Sequence, residues 1–216
     1  MDSPYPALIA VPDAVESERL RLRPLRGTDA EPMLAAIEAS RADLELWLGW
    51  PRRVTTLDAT RDLCLRAAAR WTLREELRYG VFSARDETLL GVVSLHDPDW
   101  TVRSFDLGYW LRSSAVGHGY AQEAVQLLTV VAFETLQAHR VAIRCDPRNV
   151  RSRRVAEAVG YPFEGHLRNF ALNPQGQMRD ALIFAAIPAD YERLRGAWRH
   201  TITETQSEAG WSLRVV

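Results

Sequence analysis

Three runs decide the fold: Phe105-Asp106-Leu107-Gly108-Tyr109-Trp110-Leu111, then Val116-Gly117-His118-Gly119-Tyr120-Ala121, then Asn149 to Tyr161 (N-V-R-S-R-R-V-A-E-A-V-G-Y). The first reads as a strand. The second is a Gly-x-Gly turn, and Ala121, Ala124, Val125, Leu128, Val131 and Ala132 follow at helical spacings of three and four. Glycine adopts positive φ and lets backbone N–H groups approach a ligand closely. A helix N-terminus adds unpaired donors and partial positive charge. Together they predict an anion site suited to a pyrophosphate. In the third run Asn149 caps a helix that ends at Val159, with Gly160 in the C-terminal position that favours glycine.

Working outward, residues 1 to about 15 are rich in proline and read as an irregular arm. Leu20 to Pro24 alternates as a strand does, and proline ends it. Thr28 or Asp29 caps a helix that presents Met33, Leu34 and Ile37. Trp47 to Pro51 is an aromatic loop, and Thr55 to about Arg78 is a second helix. Strands are expected at 79–84, 89–95 and 105–111, with Asp97-Pro98-Asp99 as the turn between the last two. Arg140 to Cys145 reads as a buried strand, and final strands are expected at 163–167 and 181–187. Tyr191 to Trp198 suits a short helix. The polar end is expected to be flexible, with Trp211 and Leu213 free to dock on a partner. Strands and helices interleave without a repeat, so one α/β domain with a mixed central sheet is expected.

The chain has 216 residues, 47% hydrophobic and 25% charged, as in an ordinary globular domain. Its net charge of −1 gives no global attraction for nucleic acid or an anionic membrane. No apolar run reaches membrane-spanning length, and the N-terminus lacks a signal-peptide pattern. A cytoplasmic location is the expectation. Cys64 and Cys145 are too few for a disulfide framework and lack metal-ligand spacing, so no metal is expected. All 27 basic Lys+Arg residues are arginine, which excludes a lysine nucleophile and a P-loop. A dinucleotide fingerprint needs a third glycine where Gln122 stands.

Taken in order, these motifs resemble the GNAT superfamily of acetyl-CoA-dependent N-acetyltransferases. Within it they look most like the Rim type, which acetylates ribosomal-protein N-termini. The resemblance rests on Glu18-Arg19-Leu20-Arg21-Leu22-Arg23-Pro24, Trp47-Leu48-Gly49-Trp50 and Asp106 to Leu111. Gly117 to Ala121 and Asn149, Ser152, Glu157, Gly160 and Tyr161 complete it. It spans roughly residues 16 to 187, leaving 1–15 as the arm and 188–216 as a C-terminal extension. It implies a single GNAT domain with a mostly antiparallel sheet, splayed at the acetyl-CoA site, and helices on both faces.

The resemblance also implies roles. The backbone of Trp110, Leu111 and Arg112 would face the pantetheine arm, with an N–H near Leu111 holding the thioester oxygen. Val116, Gly117, His118, Gly119, Tyr120 and Ala121 would cradle the pyrophosphate, His118 with its side chain toward solvent. Asp106 is the candidate general base, with acceptor binding or a structural role as alternatives. Ser152 would hydrogen-bond the CoA sulfur or pantetheine, or serve only as a helix hydroxyl. Asn149 would cap the helix, contact the cofactor, or both. The leaving-group tyrosine of many relatives is replaced by Ala156. Arg148, Arg151, Arg153 and Arg154 crowd one helix start against its dipole, which suggests a bound anion, the CoA 3′-phosphate, with a solvated basic face or RNA contact on a ribosomal target as the rival. Arg154 is counted among the cofactor-binding residues without fixing which arginine meets that phosphate. Trp47, Trp50, Arg52 and Arg168 would border the acceptor. That acceptor is a protein N-terminal α-amine, or alternatively a polyamine, aminoglycoside or amino acid. A non-catalytic acyl-CoA-binding module is the rival of another class, and a homodimer is left open.

Overall fold

The computed structural model describes residues 5–198, 202–207 and 210–215. The first strands are β1 (Ala14–Glu16), β2 (Leu20–Pro24), β3 (Leu77–Ser83), β4 (Leu89–Asp99) and β5 (Ser104–Leu111). They are followed by β6 (Arg140–Cys145), β7 (Phe163–Leu172), β8 (Met178–Ala186), β9 (Ile202–Ser207) and β10 (Gly210–Val215). The helices are α1 (Ala30–Glu38), α2 (Arg41–Glu45), α3 (Leu57–Thr72), α4 (Tyr120–Val130), α5 (Val150–Val159) and α6 (Pro188–Trp198). One sheet runs in the order β7-β8-β6-β5-β4-β3-β2-β1-β10-β9. The pairs β5–β6 and β1–β10 are parallel and the others antiparallel. The mixed, mostly antiparallel sheet matches the expectation.

Helices cover both faces. The stripe of α4 from Ala124 to Val130 is wholly buried and joins Leu107, Ile143, Ala156 and Tyr161 in one core. On the other face Met33, Ile37 and Cys64 of α1 and α3 pack with Phe82 and Val92. Helix α3 is shorter than its periodicity predicts. Thr56 caps it, accepting from Ala59 N–H at 3.2 Å, but it stops at Thr72. Arg74 takes a positive φ of 60°, lays its guanidinium over the Trp71 ring and donates to the Ile9 carbonyl. Asp29 does not cap α1 with its side chain; its carboxylate accepts from the Arg23 guanidinium and the Arg26 N–H instead.

Two expectations at the termini are corrected. The arm is not wholly irregular: β1 lies within it, and the Tyr79 hydroxyl and Arg74 hold the carbonyls of Pro12 and Ile9. Nor does the C-terminal end wait for a partner. Its β9–β10 hairpin adds to the sheet, with Ser212, Leu213 and Arg214 beside Ala14, Val15 and Glu16. Leu213 and Val15 are both buried, so apolar burial joins the two ends of the chain. One continuous sheet crosses both expected boundaries, 15/16 and 187/188.

The turn expected at Asp97-Pro98-Asp99 is strand. β4 continues to Asp99 with a register shift after His96, and the reversal falls at residues 100–103. The feature that places the site lies beside it. β5 and β6 pair only through Ser104–Asp106 and Arg140–Ala142. Past these residues β5 runs on to Leu111 beside β4 and β6 to Cys145 beside β8, no longer paired with each other, which opens the sheet. Gly91 lets β5 bend there, because a β-carbon at 91 would lie 2.1 Å from the Trp110 carbonyl oxygen.

Candidate active site

The opened strand presents its backbone. Arg112 N–H donates to the Leu90 carbonyl, on the β4 side. Antiparallel ladders alternate, so Trp110 also faces β4 while the N–H groups of Tyr109 and Leu111 turn into the gap. Of the three residues expected to face the arm, Leu111 turns its backbone N–H into the gap. The backbones of Trp110 and Arg112 are committed to β4, and their expected backbone role is corrected accordingly.

Beyond the strand, Gly117 and Gly119 have φ of 89° and 80°. Gly119 ends the loop as the N-cap of α4 with no side-chain cap. Among the described residues the amides of 117–122 donate to no protein acceptor. They form a run of free donors at a helix N-terminus, the arrangement an anion needs. The loop is held from below by Arg19. Its guanidinium pairs with Glu123, donates to the His118 carbonyl at 3.1 Å and covers the Tyr120 ring at 5.0 Å. Ser17 adds a 2.5 Å bond to Glu123. The His118 ring is exposed, stacks on Tyr120 and lies 3.1 Å from its own loop's Val116 carbonyl, so it has turned away from the donors.

A cavity of about 510 Å³ follows this backbone between α2, α4 and α5. The loop residues Val116, Gly117, Gly119, Tyr120 and Ala121 line one end, and Trp110 and Leu111 line its floor. From α5 come Asn149, Ser152 and Arg154, and from the α2 side comes Trp47. Asn149 caps α5 by accepting from Ser152 N–H at 3.1 Å, which fixes Ser152 at the helix start. Of the four crowded arginines, Arg148 turns to Asp146 and Arg153 to Glu157. Arg151 and Arg154 remain on the cavity wall, Arg151 3.8 Å from Asp43.

Sequence reading missed Tyr109. Its hydroxyl donates to the Ser152 carbonyl at 2.8 Å and lies 3.1 Å from Ser152 Oγ. Burial pushes this phenol above its ordinary range, so it stays protonated, although the Ser152 bond acts the other way. A tyrosine hydroxyl therefore does reach the α5 start, from the strand rather than from the helix position where Ala156 stands.

On the opposite face lies a second cavity of about 320 Å³, which shares Leu48, Tyr109 and Trp110 with the first. Trp50 lines it, with its ring 5.8 Å from that of Trp110. Deep in it is the buried carboxylate of Glu76, held by Arg78 at 2.8 Å and Arg70 at 3.1 Å. The two tryptophans thus border different cavities. Arg52 borders neither: it donates to the Pro174 carbonyl at 3.0 Å and lies 3.6 Å from Glu45, tying the aromatic loop to the β7–β8 turn. Arg168 lines a separate cleft made by residues 166–170. Phe170 lines the same cleft and lies under the Arg144 guanidinium at 5.3 Å.

Asp106 stands on this second face, directly across from His96. Its carboxylate is paired with Arg144. That carboxylate is therefore already committed to a cation. One ligating atom each from His96, Asp97 and Asp106 lies within 4.8 Å of the others. The cluster already holds a cation, since Arg144 also lies 3.9 Å from Asp97. Both cysteines are buried; burial pushes the Cys64 thiol to about 11 and raises that of Cys145, so neither suits acyl transfer. Among the described residues no helix is long and apolar enough to cross a membrane.

Comparison with known proteins agrees with this geometry. Residues 19–162 match the family described as acetyltransferase (GNAT) domain. The chain is 31% identical over 182 residues to a Bacillus subtilis protein named "Probable N-acetyltransferase YjcK", covering 83% of this chain and 99% of that one. It is 26% identical over 152 residues to the ribosomal-protein-serine acetyltransferase of Escherichia coli, covering 70% and 84%. The solved structure of Mycobacterium smegmatis RimJ in complex with CoA-disulfide superposes with a TM-score of 0.73 at 27% identity, covering 83% and 90%.

Proposed function

The chain belongs to the acetyltransferase (GNAT) family, and on that footing we propose that it acetylates the α-amine of a protein N-terminus, with acetyl-CoA as donor. The observation that carries this reading is the meeting of two cavities at Tyr109 and Trp110, where the sheet is open. A donor along α4 and α5 and an acceptor from the α1–α3 face would touch only there. The named ribosomal-protein acetyltransferase among its relatives favours a protein N-terminus over a small amine.

The residues fit acetyl-CoA as a substrate. Free amides of 117–122 suit the pyrophosphate, and Arg154, with Arg151, suits the 3′-phosphate. Asn149 and Ser152 lie beside the pantetheine path. The acetyl group brings its own activation; the protein contributes position and electrostatics. The Leu111 N–H, aimed into the gap, stabilises charge developing on the thioester oxygen. Ser152 Oγ, steadied by Tyr109, faces the departing sulfur. Trp47 lies along the donor, and Trp50 covers the acceptor. Asp106, paired with Arg144, serves as a charged wall for the incoming ammonium rather than as its base.

Thermal unfolding with and without acetyl-CoA tests the donor site. At a hundred times Kd, binding adds about 2.7 kcal/mol, roughly 5–10 °C for a chain of this size. A smaller shift with dephospho-CoA is expected if Arg154 meets the 3′-phosphate. No shift with acetyl-CoA overturns the reading. Turnover is then compared between a serine-initiated peptide amide and spermidine; a preference for spermidine replaces the protein acceptor with a small amine.

A further inference from the structure

We propose that His96 is the general base of this site, taking the proton of the acceptor's ammonium, with Asp97 as the residue that positions its ring. The inference rests on the N-acetyltransferase reading and deepens it. His96 lines the acceptor cavity together with Ser94, Asp97 and Gly108. Its ring lies over Gly108: a β-carbon there would sit 3.0 Å from Nε2 and 3.3 Å from Cδ2. Glycine at 108 therefore makes room for an imidazole two residues from Trp110, where the cavities meet.

The other nitrogen is occupied. Nδ1 lies 3.1 Å from Asp97 Oδ2. A carboxylate only accepts, so the shared proton sits on Nδ1 and Nε2 keeps its lone pair. Asp97 holds its carboxylate there from a left-handed backbone, φ 49°, at the register shift of β4. Strain of this kind persists where surrounding structure demands it. The groups facing the ring are Asp97 on its own strand, Asp106 on β5 and Arg144 on β6. Glu76, Arg70 and Arg78 complete the charged groups of the cavity. Asp106 is tied to Arg144, and Glu76 to Arg70 and Arg78. That leaves the imidazole as the basic group with a free lone pair, placed in the cavity as a general base must be.

The proton balance is simple. Nε2 takes one proton from the ammonium, and the freed lone pair forms the C–N bond to the acetyl carbon. The C–S bond breaks with its electron pair on sulfur. The new amide nitrogen loses a second proton, which reaches the thiolate, and His96 returns the first to solvent.

His96→Gln is assayed by release of free CoA with two nucleophiles. One is a serine-initiated peptide amide, protonated near neutral pH. The other is hydroxylamine, which is already neutral there. The variant is expected to lose about 100-fold in kcat with the peptide and at most about threefold with hydroxylamine. Its deficit with the peptide should shrink as pH rises and solvent deprotonates the amine. Acetyl-CoA affinity should not move. Equal losses with both nucleophiles, or a loss independent of pH, overturn the proposal and leave a structural histidine. Wild-type protein that binds acetyl-CoA but turns over neither nucleophile overturns the function proposed above, and this inference with it. A readout without turnover is the ¹⁵N spectrum of the neutral His96 ring, expected as the Nδ1–H tautomer. Asp97→Asn should shift it, and asparagine tolerates the left-handed backbone. An Nε2–H tautomer in the wild type overturns the assignment.

Discussion

The two faces of the opened sheet are built differently. On the α4–α5 face the cavity proposed for the donor sets free backbone donors, the amides of 117–122 and the Leu111 N–H, beside two glycines at positive φ. On the α1–α3 face the cavity proposed for the acceptor is lined by side chains of α1, α3, β3, β4 and β5 and of the loops beside them, among them Glu76, His96, Trp50 and Trp110. A backbone site binds what all acetyl-CoA-dependent enzymes share. A side-chain site can change one residue at a time, which suits it to the acceptor choice proposed for it.

The sharpest way to break this contrast is at Gly117 and Gly119. A β-carbon at Gly117 would meet nothing within 4 Å, and at Gly119 only Arg19 Nη2 at 3.5 Å. Space is therefore not what demands glycine; backbone conformation is. Valine at both positions should turn the amides out of line. Acetyl-CoA affinity is expected to fall about 100-fold, close to 2.7 kcal/mol, measured by calorimetry. A double variant that binds normally would mean that the donor face does not depend on its backbone.

That same contrast governs what could be read before the structure. The donor face was legible because its parts are local: a strand, a glycine turn and a helix start lie within residues 105–121, and Asn149 caps the helix carrying Ser152. The acceptor face was not. Asp106 looked like a base because Arg144, which is paired with it, comes from the next strand, 38 residues on in the chain. His96 was hidden because Asp97-Pro98-Asp99 reads as a turn. Extending the alternation of Val92 and Ser94 by one step would have put His96 on the same face. The grip of Arg19 on Glu123 spans 104 residues, beyond the reach of any local motif. The β1–β10 pairing joins the two ends of the chain, and no local pattern encodes it.

Tyr109 stands where the faces meet, so Tyr109→Phe sharpens the comparison at its boundary. Phenylalanine fills the same space and removes the bonds to the Ser152 carbonyl and Oγ. Stability should fall by about 1 kcal/mol. If Ser152 serves the departing sulfur, kcat should drop about tenfold while KM for acetyl-CoA holds. A change in KM alone would place Tyr109 in donor binding instead.

The smallest effect probes a charged side chain at the entry to α5, on the same face. Asp146 closes β6 and leads into α5; its carboxylate is buried and accepts from the Arg148 N–H and guanidinium at 2.7–2.9 Å. The Arg148 hydrogen bonds hold this carboxyl below its ordinary range, against the opposing effect of burial. A depressed folded pKa contributes stability above the unfolded value, near 4, and that contribution is lost as pH falls through the folded one. Arg148 is exposed, so solvent screens the pair and limits its worth to about 1 kcal/mol or less, at most roughly 2–4 °C. Asp146→Asn should therefore melt slightly lower at pH 7 and lose less of its stability between pH 5 and pH 3. Parallel acid curves for the two proteins would show that the turn is held by the Asp146 carbonyl, which accepts from Asn149 N–H, and not by its carboxylate.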